Sequence, residues 1–222
     1  MSAQLPLAFA HRPALSQADF LIAPPNEQAV RLINAWPDWP GHALALIGPP
    51  GSGKSHLAGI WRAHAQALEM DPLALHLDIA DSQDVPAVVV EDADRGMDET
   101  GLFHLYNLTQ EMGGFMLLTG REAPSRWKIA LPDLKSRLAT VPTAALGAPD
   151  DRLLQAVLLK QFHERQLKVS AALLPYLVQH MERSFAAARQ LVAALDRAAL
   201  AEQRPINKAL ARRVLMRLDP MP

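Results

Sequence analysis

The chain has 222 residues, of which half are hydrophobic, 22 are basic and 23 are acidic, so it can fold around a sizeable core and is not intrinsically disordered. The net charge of −1 excludes a chain that is basic throughout, as many nucleic-acid-binding proteins are. The lack of cysteine excludes disulfides and thiolate metal sites and is consistent with a cytoplasmic location. No apolar run is long enough to span a membrane, and no signal peptide is recognisable.

The order of the predicted elements divides the chain into an α/β part and an all-α part. Continuous apolar runs, typical of strands buried on both faces of a parallel sheet, predict strands at 43–48, 73–78, 87–92, 115–120 and 140–146. The remainder is rich in Ala, Leu, Arg and Gln and predicts helices at about 150–166, 170–181, 184–202 and 206–218. We therefore predict an extended segment at 1–15, an α/β core at 16–148 and a small helical domain at 149–222.

The charge changes at the same boundary. Residues 1–150 hold 10 basic and 17 acidic residues, a net charge of −7, whereas residues 151–222 hold 12 basic and 6 acidic residues, a net charge of +6. Such an asymmetry between the two parts supports the division into two domains.

A phosphate-binding motif follows the first predicted strand and opens a helical segment. The motif G-x-x-x-x-G-K-[ST] is matched in full by Gly48, Pro49, Pro50, Gly51, Ser52, Gly53, Lys54 and Ser55. Its glycines let backbone N–H groups turn toward phosphate oxygens, and the N-terminus of the following helix adds a partial positive charge. We expect Lys54 to contact the β- and γ-phosphates and Ser55 to ligate Mg²⁺. His56 comes next and is included in the site, with packing as its alternative role.

Two acidic residues, Glu91 and Asp92, end the third predicted strand, which would face the phosphate loop. In P-loop enzymes one carboxylate at this place holds the Mg²⁺ and its neighbour orients the attacking water. We assign Glu91 to the metal and Asp92 to the water. The alternative is an ordinary strand that ends in solvated acids.

These motifs resemble the AAA+ ATPases, and more narrowly the DnaA-like family of replication proteins. The segment FLIAPPN, followed by Ala29, is similar to the family's F-x-x-G-x-x-N-x-x-A, which packs on the adenine. The resemblance implies a P-loop AAA+ core with a helical lid, ADP or ATP with Mg²⁺ as cofactor, and adenine contacts by Phe20, Ile22 and Asn26. Ala23 stands where the family has glycine.

Two arginines receive roles from the same resemblance. The segment LKSRL at 134–138 is similar to the family's L-K-S-R-F, whose arginine reaches the ATP site of a neighbouring subunit, and this implies a trans-acting role for Arg137. The segment RQLVAALDR at 189–197 is similar to R-E-L-E-G-A-L-N-R, whose first arginine reaches from the lid to the phosphates, and this implies a phosphate contact by Arg189. For both, the alternative is a solvated arginine on a helix.

Two departures from the family concern hydrolysis. Glu91 stands where the family has aspartate, and Thr119-Gly120-Arg121 stands where the family has T-S-D. Thr119 could still polarise a water molecule, but the acid at the third position is replaced by Arg121. We therefore expect strong binding of ADP or ATP and weak turnover by the isolated chain, at most a weak ATPase.

A short motif precedes the predicted core. Residues 4–9 (QLPLAF) match Q-L-x-L-x-F, a form of the peptide by which bacterial proteins dock on the DNA polymerase sliding clamp. An extended peptide offers alternate side chains to pockets, so Leu7 and Phe9 would fill an apolar groove while Gln4 makes a polar contact and Leu5 extends the site. The alternative is a terminus that packs on its own domain.

The leading interpretation is a regulator that is not an enzyme on its own account. It would dock on the clamp and stimulate ATP hydrolysis by the initiator DnaA. Initiators of the family carry a helix-turn-helix domain after the lid, whereas this sequence ends at Pro222, so we expect no sequence-specific DNA binding. A helicase-loading ATPase and a small P-loop kinase are the alternatives, and a homo-oligomer is left open.

Overall fold

The structure is a computed structural model that describes residues 20–75 and 87–218. The predicted clamp-binding residues Gln4, Leu5, Leu7 and Phe9 lie outside the described residues. Within the described part, an α/β core is followed by four helices that form a lid.

The core contains five strands and four α-helices whose full range lies within the described residues. In chain order these are α1 (Glu27–Asn34), β1 (Ala43–Ile47), α2 (Lys54–Ala65), β2 (Leu68–Met70), β3 (Ala87–Val90), α3 (Glu99–Glu111), β4 (Phe115–Gly120), α4 (Pro132–Ala139) and β5 (Thr143–Ala145). Single 3₁₀ turns at Ala93–Arg95 and Pro124–Arg126 follow β3 and β4.

The five strands form one parallel sheet in the order β2-β3-β4-β1-β5. The register pairs Ile47 at the end of β1 with Gly120 at the end of β4, and Val90 at the end of β3 with Leu118. The carboxyl ends of β1, β3 and β4 therefore meet at one edge of the sheet, which is where open α/β sheets bind ligands. The phosphate loop follows β1, Glu91 and Asp92 follow β3, and Thr119 lies at the end of β4.

Helices cover both faces of the sheet, which explains why the strands are continuously apolar. On one face α1 and α2 pack through a cluster in which the rings of Trp39 and Trp61 stack 5.1 Å apart. On the other face α3 and α4 bury Leu105 and Leu134. The start of α2 is thereby fixed at the end of β1.

Four of the five predicted strands are confirmed, and the one at 73–78 is wrong in its described part. The second strand is Leu68–Met70, and the chain then turns at Asp71, whose carboxylate accepts a hydrogen bond from the N–H of Leu73 at 2.9 Å. Leu75 is already helical. The apolar run was misleading because Leu75 is buried in the core without being in a strand.

The lid consists of the four predicted helices, which are all confirmed. They are α5 (Asp151–Glu164), α6 (Leu173–His180), α7 (Phe185–Glu202) and α8 (Lys208–Leu218). Polar side chains cap three of their N-termini: Asp150 accepts from Leu153 N–H at 2.7 Å, and Ser184 and Asn207 do the same for α7 and α8. A separate apolar core holds the helices together. Among the described helices, none combines the length and hydrophobicity needed to cross a bilayer.

Candidate functional site

The phosphate loop connects β1 to α2 and depends on its glycines. Gly51 and Gly53 have φ values of +72° and +97°, a region that L-residues with a side chain rarely adopt. A Cβ at Gly48 would lie 2.3 Å from the carbonyl oxygen of Leu146, so this position admits only glycine. The loop thus wraps closely around the N-terminus of α2.

Lys54 lies at the centre of this loop with its ammonium turned inward. It is 7% exposed, and its Nζ donates to the carbonyl oxygens of Gly48 at 2.8 Å and Pro49 at 3.1 Å. Burial lowers the pKa of Lys54, and nearby carboxylates, Asp92 first among them, act in the opposite direction. The charge is therefore held beside acidic residues at the place where a phosphate would lie.

Ser52 gives an independent indication that the loop fits an anion. Its hydroxyl oxygen is buried and has no hydrogen-bond partner among the described residues. Buried polar atoms are normally paired, and an unpaired hydroxyl in a phosphate-binding motif can donate to a phosphate oxygen. Ser55 is exposed at the first turn of α2, so its hydroxyl is accessible to a metal ion. The residues present fit a nucleotide phosphate with Mg²⁺.

Asp92 and Thr119 are joined across the ends of β3 and β4. The backbone N–H of Asp92 donates to Oγ1 of Thr119 at 2.9 Å, and Thr119 is buried. Asp92 adopts a left-handed conformation, with φ +51°, and both it and Glu91 are half-buried. The structure thus brings together the predicted acids and the predicted threonine beside Lys54.

Asp94 is a residue of this site that the sequence analysis missed. Its Oδ2 accepts a hydrogen bond from the backbone N–H of Arg121 at 2.7 Å, and its Oδ1 is buried without a partner among the described residues. Its carboxylate also acts on the pKa of Lys54. The sequence offered one signal for it, since Asp94 is the third acid in the segment 91–94. Acids that follow a strand are, however, common in solvated turns.

A cleft of about 340 Å³ opens between the core and the lid at the phosphate loop. Its core side is lined by predicted residues and by one addition, Leu21; they are Phe20, Leu21, Asn26, Gly51, Gly53, Ser55 and His56. Its lid side is lined by the predicted Arg189 and by residues that were not predicted. Those on α5 and α7 are Leu153, Val157, Lys160, Gln161, Glu164, Phe185 and Ala186, and Arg165 directly follows α5.

The segment before α1 forms one wall of this cleft. The Phe20 ring contacts the edge of His56 with centroids 5.4 Å apart. Asn26 closes the local turn, since its Nδ2 donates to Leu21 O and its Oδ1 accepts from Ala23 N–H, each at 2.9 Å. Ile22 is 61% exposed and does not line the cleft, so the structure does not place it with the other predicted adenine contacts.

The lid contacts the phosphate loop directly at the N-terminus of α7. The N–H of Phe185 donates to the carbonyl oxygen of Gly51 at 3.0 Å, and its ring lies 3.4 Å from the position of a Cβ at Gly53. Arg189 follows one turn later on the same helix and lines the cleft. The phosphate loop therefore fixes the part of the lid that carries Arg189.

We expect Gly51→Ala to separate the lid from the loop. A Cβ at Gly51 would lie 2.5 Å from Cβ of Ser184, whereas Gly113, with a similar φ of +66°, has nothing within 4 Å. Gly113→Ala should lower the free energy of unfolding by about 1–2 kcal/mol for its backbone conformation alone. Gly51→Ala should lose about 1–3 kcal/mol more from the clash, measured by denaturant unfolding. If both variants lose the same free energy of unfolding, the lid does not pack against Gly51.

Arg137 lies on α4, away from this cleft. Its guanidinium lies 5.6 Å from the ring centroids of both Phe103 and Tyr106 on α3, and its Nη1 is 3.4 Å from Oε1 of Gln110. It is half-buried and is not among the residues that line the cleft. Arg137 thus has no contact with the chain's own phosphate loop in the described structure.

Comparison with known proteins agrees with this architecture. Residues 150–215 match the family model described as the Hda lid domain. Domain III of the Thermotoga maritima replication initiation protein DnaA has a TM-score of 0.78 at 16% identity, over 93% of this chain and 97% of that one. A search of curated proteins found no match.

Two further solved structures share the fold. Replication initiator DnaA bound to AMPPCP and single-stranded DNA has a TM-score of 0.72 at 13% identity, over 91% of this chain and 68% of that one. The Thermotoga maritima RuvB Holliday junction branch migration motor has a TM-score of 0.69 at 14% identity, over 87% and 68%. At these identities the likeness shows that the chain has the fold of these solved structures, and the match to the Hda lid model covers residues 150–215.

Proposed function

We propose that this chain is an adenine-nucleotide-binding regulator of chromosomal replication initiation. It would dock on the DNA polymerase sliding clamp and stimulate ATP hydrolysis by DnaA, so that the initiator is inactivated. The observation that carries the proposal is the cleft in which an intact phosphate loop meets Arg189 of a lid that matches the Hda model.

The nucleotide would be ADP or ATP with Mg²⁺. Lys54, the loop N–H groups and the unpaired hydroxyl of Ser52 would bind the phosphates. Ser55 and Glu91 would hold Mg²⁺, which neutralises phosphate charge. The Phe20 wall of the cleft would contact the adenine. A similar fold, that of DnaA, is known with AMPPCP bound.

The regulatory step would use the N-terminal peptide and Arg137. Gln4, Leu5, Leu7 and Phe9 would bring the chain to the clamp, and Arg137 would enter the ATP site of DnaA. An arginine supplied in trans stabilises charge on the γ-phosphate in the transition state. The support for this assignment is that Arg137 lies at the surface of α4 and outside the chain's own cleft.

The decisive experiment measures ATP hydrolysis by DnaA with clamp and DNA, in the presence and absence of this chain. Acceleration that requires both the clamp and residues 4–9 is the expected result. Unchanged hydrolysis, with the replicative helicase captured in place of the clamp, would favour a helicase loader. Phosphate transfer from ATP to a small molecule would favour a kinase.

Replacing the lid arginine Arg189 should weaken the binding of ATP. Arg189→Ala is expected to lower the affinity for ATP by about 10-fold, because a charge-assisted hydrogen bond to phosphate is lost, and to lower the ADP affinity less. Arg197→Ala is the matched control, since Arg197 is an exposed arginine on α7 that does not line the cleft. Titration calorimetry that finds both variants alike would refute the role of Arg189.

The isolated chain should turn over ATP slowly. Glu91 is one methylene longer than the aspartate that the family has at this position, and Arg121 stands where the family has an acid. Both changes affect the placement of water more than the binding of phosphate. Phosphate release under steady-state conditions should stay well below one turnover per second, and a rate of many per second would contradict this expectation.

A further inference from the structure

A second concave surface, which we name the lid groove, lies between α6 and α8. Its volume is about 840 Å³, and it has no lining residue in common with the cleft at the phosphate loop. It is lined by Tyr176, His180, Lys208, Ala209, Arg212, Leu215 and Met216. The surface is therefore separate from the nucleotide site, and none of the roles proposed above uses it.

The lid groove combines an apolar floor with a positively charged rim. Met216 is 58% exposed although it is a large apolar side chain, and Leu215 lies beside it. Lys208 and Arg212 supply two positive charges, and none of the described residues that line the groove is acidic. The sequence of α8 contains four basic residues and no acidic one. An exposed apolar surface with charge of one sign around it is typical of an interaction site.

The contacts around Tyr176 argue against nucleic acid as the occupant. Nζ of Lys208 lies 4.6 Å from the centroid of the Tyr176 ring, and the His180 ring lies 4.3 Å from it. A base could stack on Tyr176 only by displacing one of these groups. The backbone of a duplex would offer phosphates to the rim but nothing apolar to cover Met216. An occupant of the lid groove therefore needs apolar groups to cover Met216 and negative charges to pair with the rim.

We propose that the lid groove docks an acidic amphipathic peptide segment of a protein partner. Apolar side chains of that segment would cover Met216 and Leu215, and its carboxylates would pair with Lys208 and Arg212. Helix-in-groove recognition uses this combination of apolar anchors and flanking charge. Arg213 lies on the same helix but does not line the groove, and it is already paired with Glu202 at 2.6 Å. The carboxylates of the partner would therefore pair with Lys208 and Arg212.

The test uses the full chain and a fluorescein-labelled helical peptide composed of glutamate, leucine and alanine, with leucines on one face and glutamates beside them. Saturable binding by fluorescence anisotropy is expected. Arg212→Ala should weaken it by about 5- to 10-fold, since a partly desolvated charge pair is lost, and Met216→Ser by about 10-fold, since apolar burial is lost. Arg213→Ala is the matched control and should change the affinity by less than about 2-fold, because its exposed ion pair with Glu202 contributes little.

These side chains are exposed, so all three variants are expected to fold, and circular dichroism checks this. The proposal is overturned if the wild-type chain does not bind the peptide saturably, or if Arg212→Ala and Arg213→Ala bind it equally. It is also overturned if a duplex oligonucleotide binds more tightly than the peptide and loses its affinity in Arg212→Ala. The inference does not depend on the proposed regulatory function, since neither DnaA nor the clamp enters the measurement.

Discussion

Lys54→Met is expected to weaken nucleotide binding by at least about 100-fold while leaving the chain folded. The substitution keeps most of the aliphatic stem but removes the ammonium that Gly48 and Pro49 hold in the centre of the loop. Loss of charge-assisted hydrogen bonds to two phosphates should cost at least about 3 kcal/mol, or a factor of about 100 in affinity. Titration calorimetry with ADP and with ATP measures this loss directly.

Thermal unfolding supplies the control for Lys54→Met. A ligand present at about 100 times its Kd stabilises the wild-type chain by about 2.7 kcal/mol, whereas the variant, with at least about 100-fold weaker binding, should gain about 0.4 kcal/mol or less at the same nucleotide concentration. Without nucleotide the two proteins should differ little, because burial of the Lys54 ammonium opposes the benefit of its two hydrogen bonds. Equal heats of binding in the two proteins would refute the nucleotide site, and with it the proposed function.

The sequence was most informative where a motif and the flanking elements agreed. The phosphate motif lies between a confirmed strand and a confirmed helix, and the lid arginine Arg189 reaches the same cleft. Both depend on short-range patterns, namely glycines that turn the chain and apolar residues at helical spacing. The four lid helices were predictable for the same reason.

The remaining site residues depend on how distant segments pack, which no local pattern reveals. The α5 side of the cleft, with Leu153 and Val157, becomes part of the site only because the lid folds back onto the loop. Asp94 becomes a site residue because β4 places Arg121 against it, 27 positions along the chain. Ile22 shows the converse, since a residue within a recognised motif points to solvent.

Arg137→Ala should abolish stimulation of DnaA while sparing nucleotide and clamp binding by this chain. Arginines supplied in trans contribute about 10³- to 10⁵-fold in rate, so stimulated hydrolysis should fall by at least about 10³-fold or to the unstimulated background. The lost side chain does not line the cleft and is far in sequence from residues 4–9. A selective loss of stimulation is therefore expected.

The aromatic contacts of Arg137 do not prevent this role. For the half-buried Arg137, each cation–π contact with Phe103 or Tyr106 is worth about 0.5–2 kcal/mol, which is less than the roughly 4–7 kcal/mol that a 10³- to 10⁵-fold effect on the rate represents. The two rings hold the guanidinium on the surface of α3 and α4 and so reduce the ordering needed on docking.

Two further variants on α4 make the test of Arg137 sharp. Lys135→Ala removes an exposed positive charge two residues away and should leave stimulation intact, which separates a specific role from general charge. Arg137→Lys keeps the charge but lacks the planar donor pair, so it should remain close to the alanine variant in rate. Stimulation by Arg137→Ala at the wild-type rate, with the clamp bound, would show that another group of this chain or of DnaA itself completes the catalytic site.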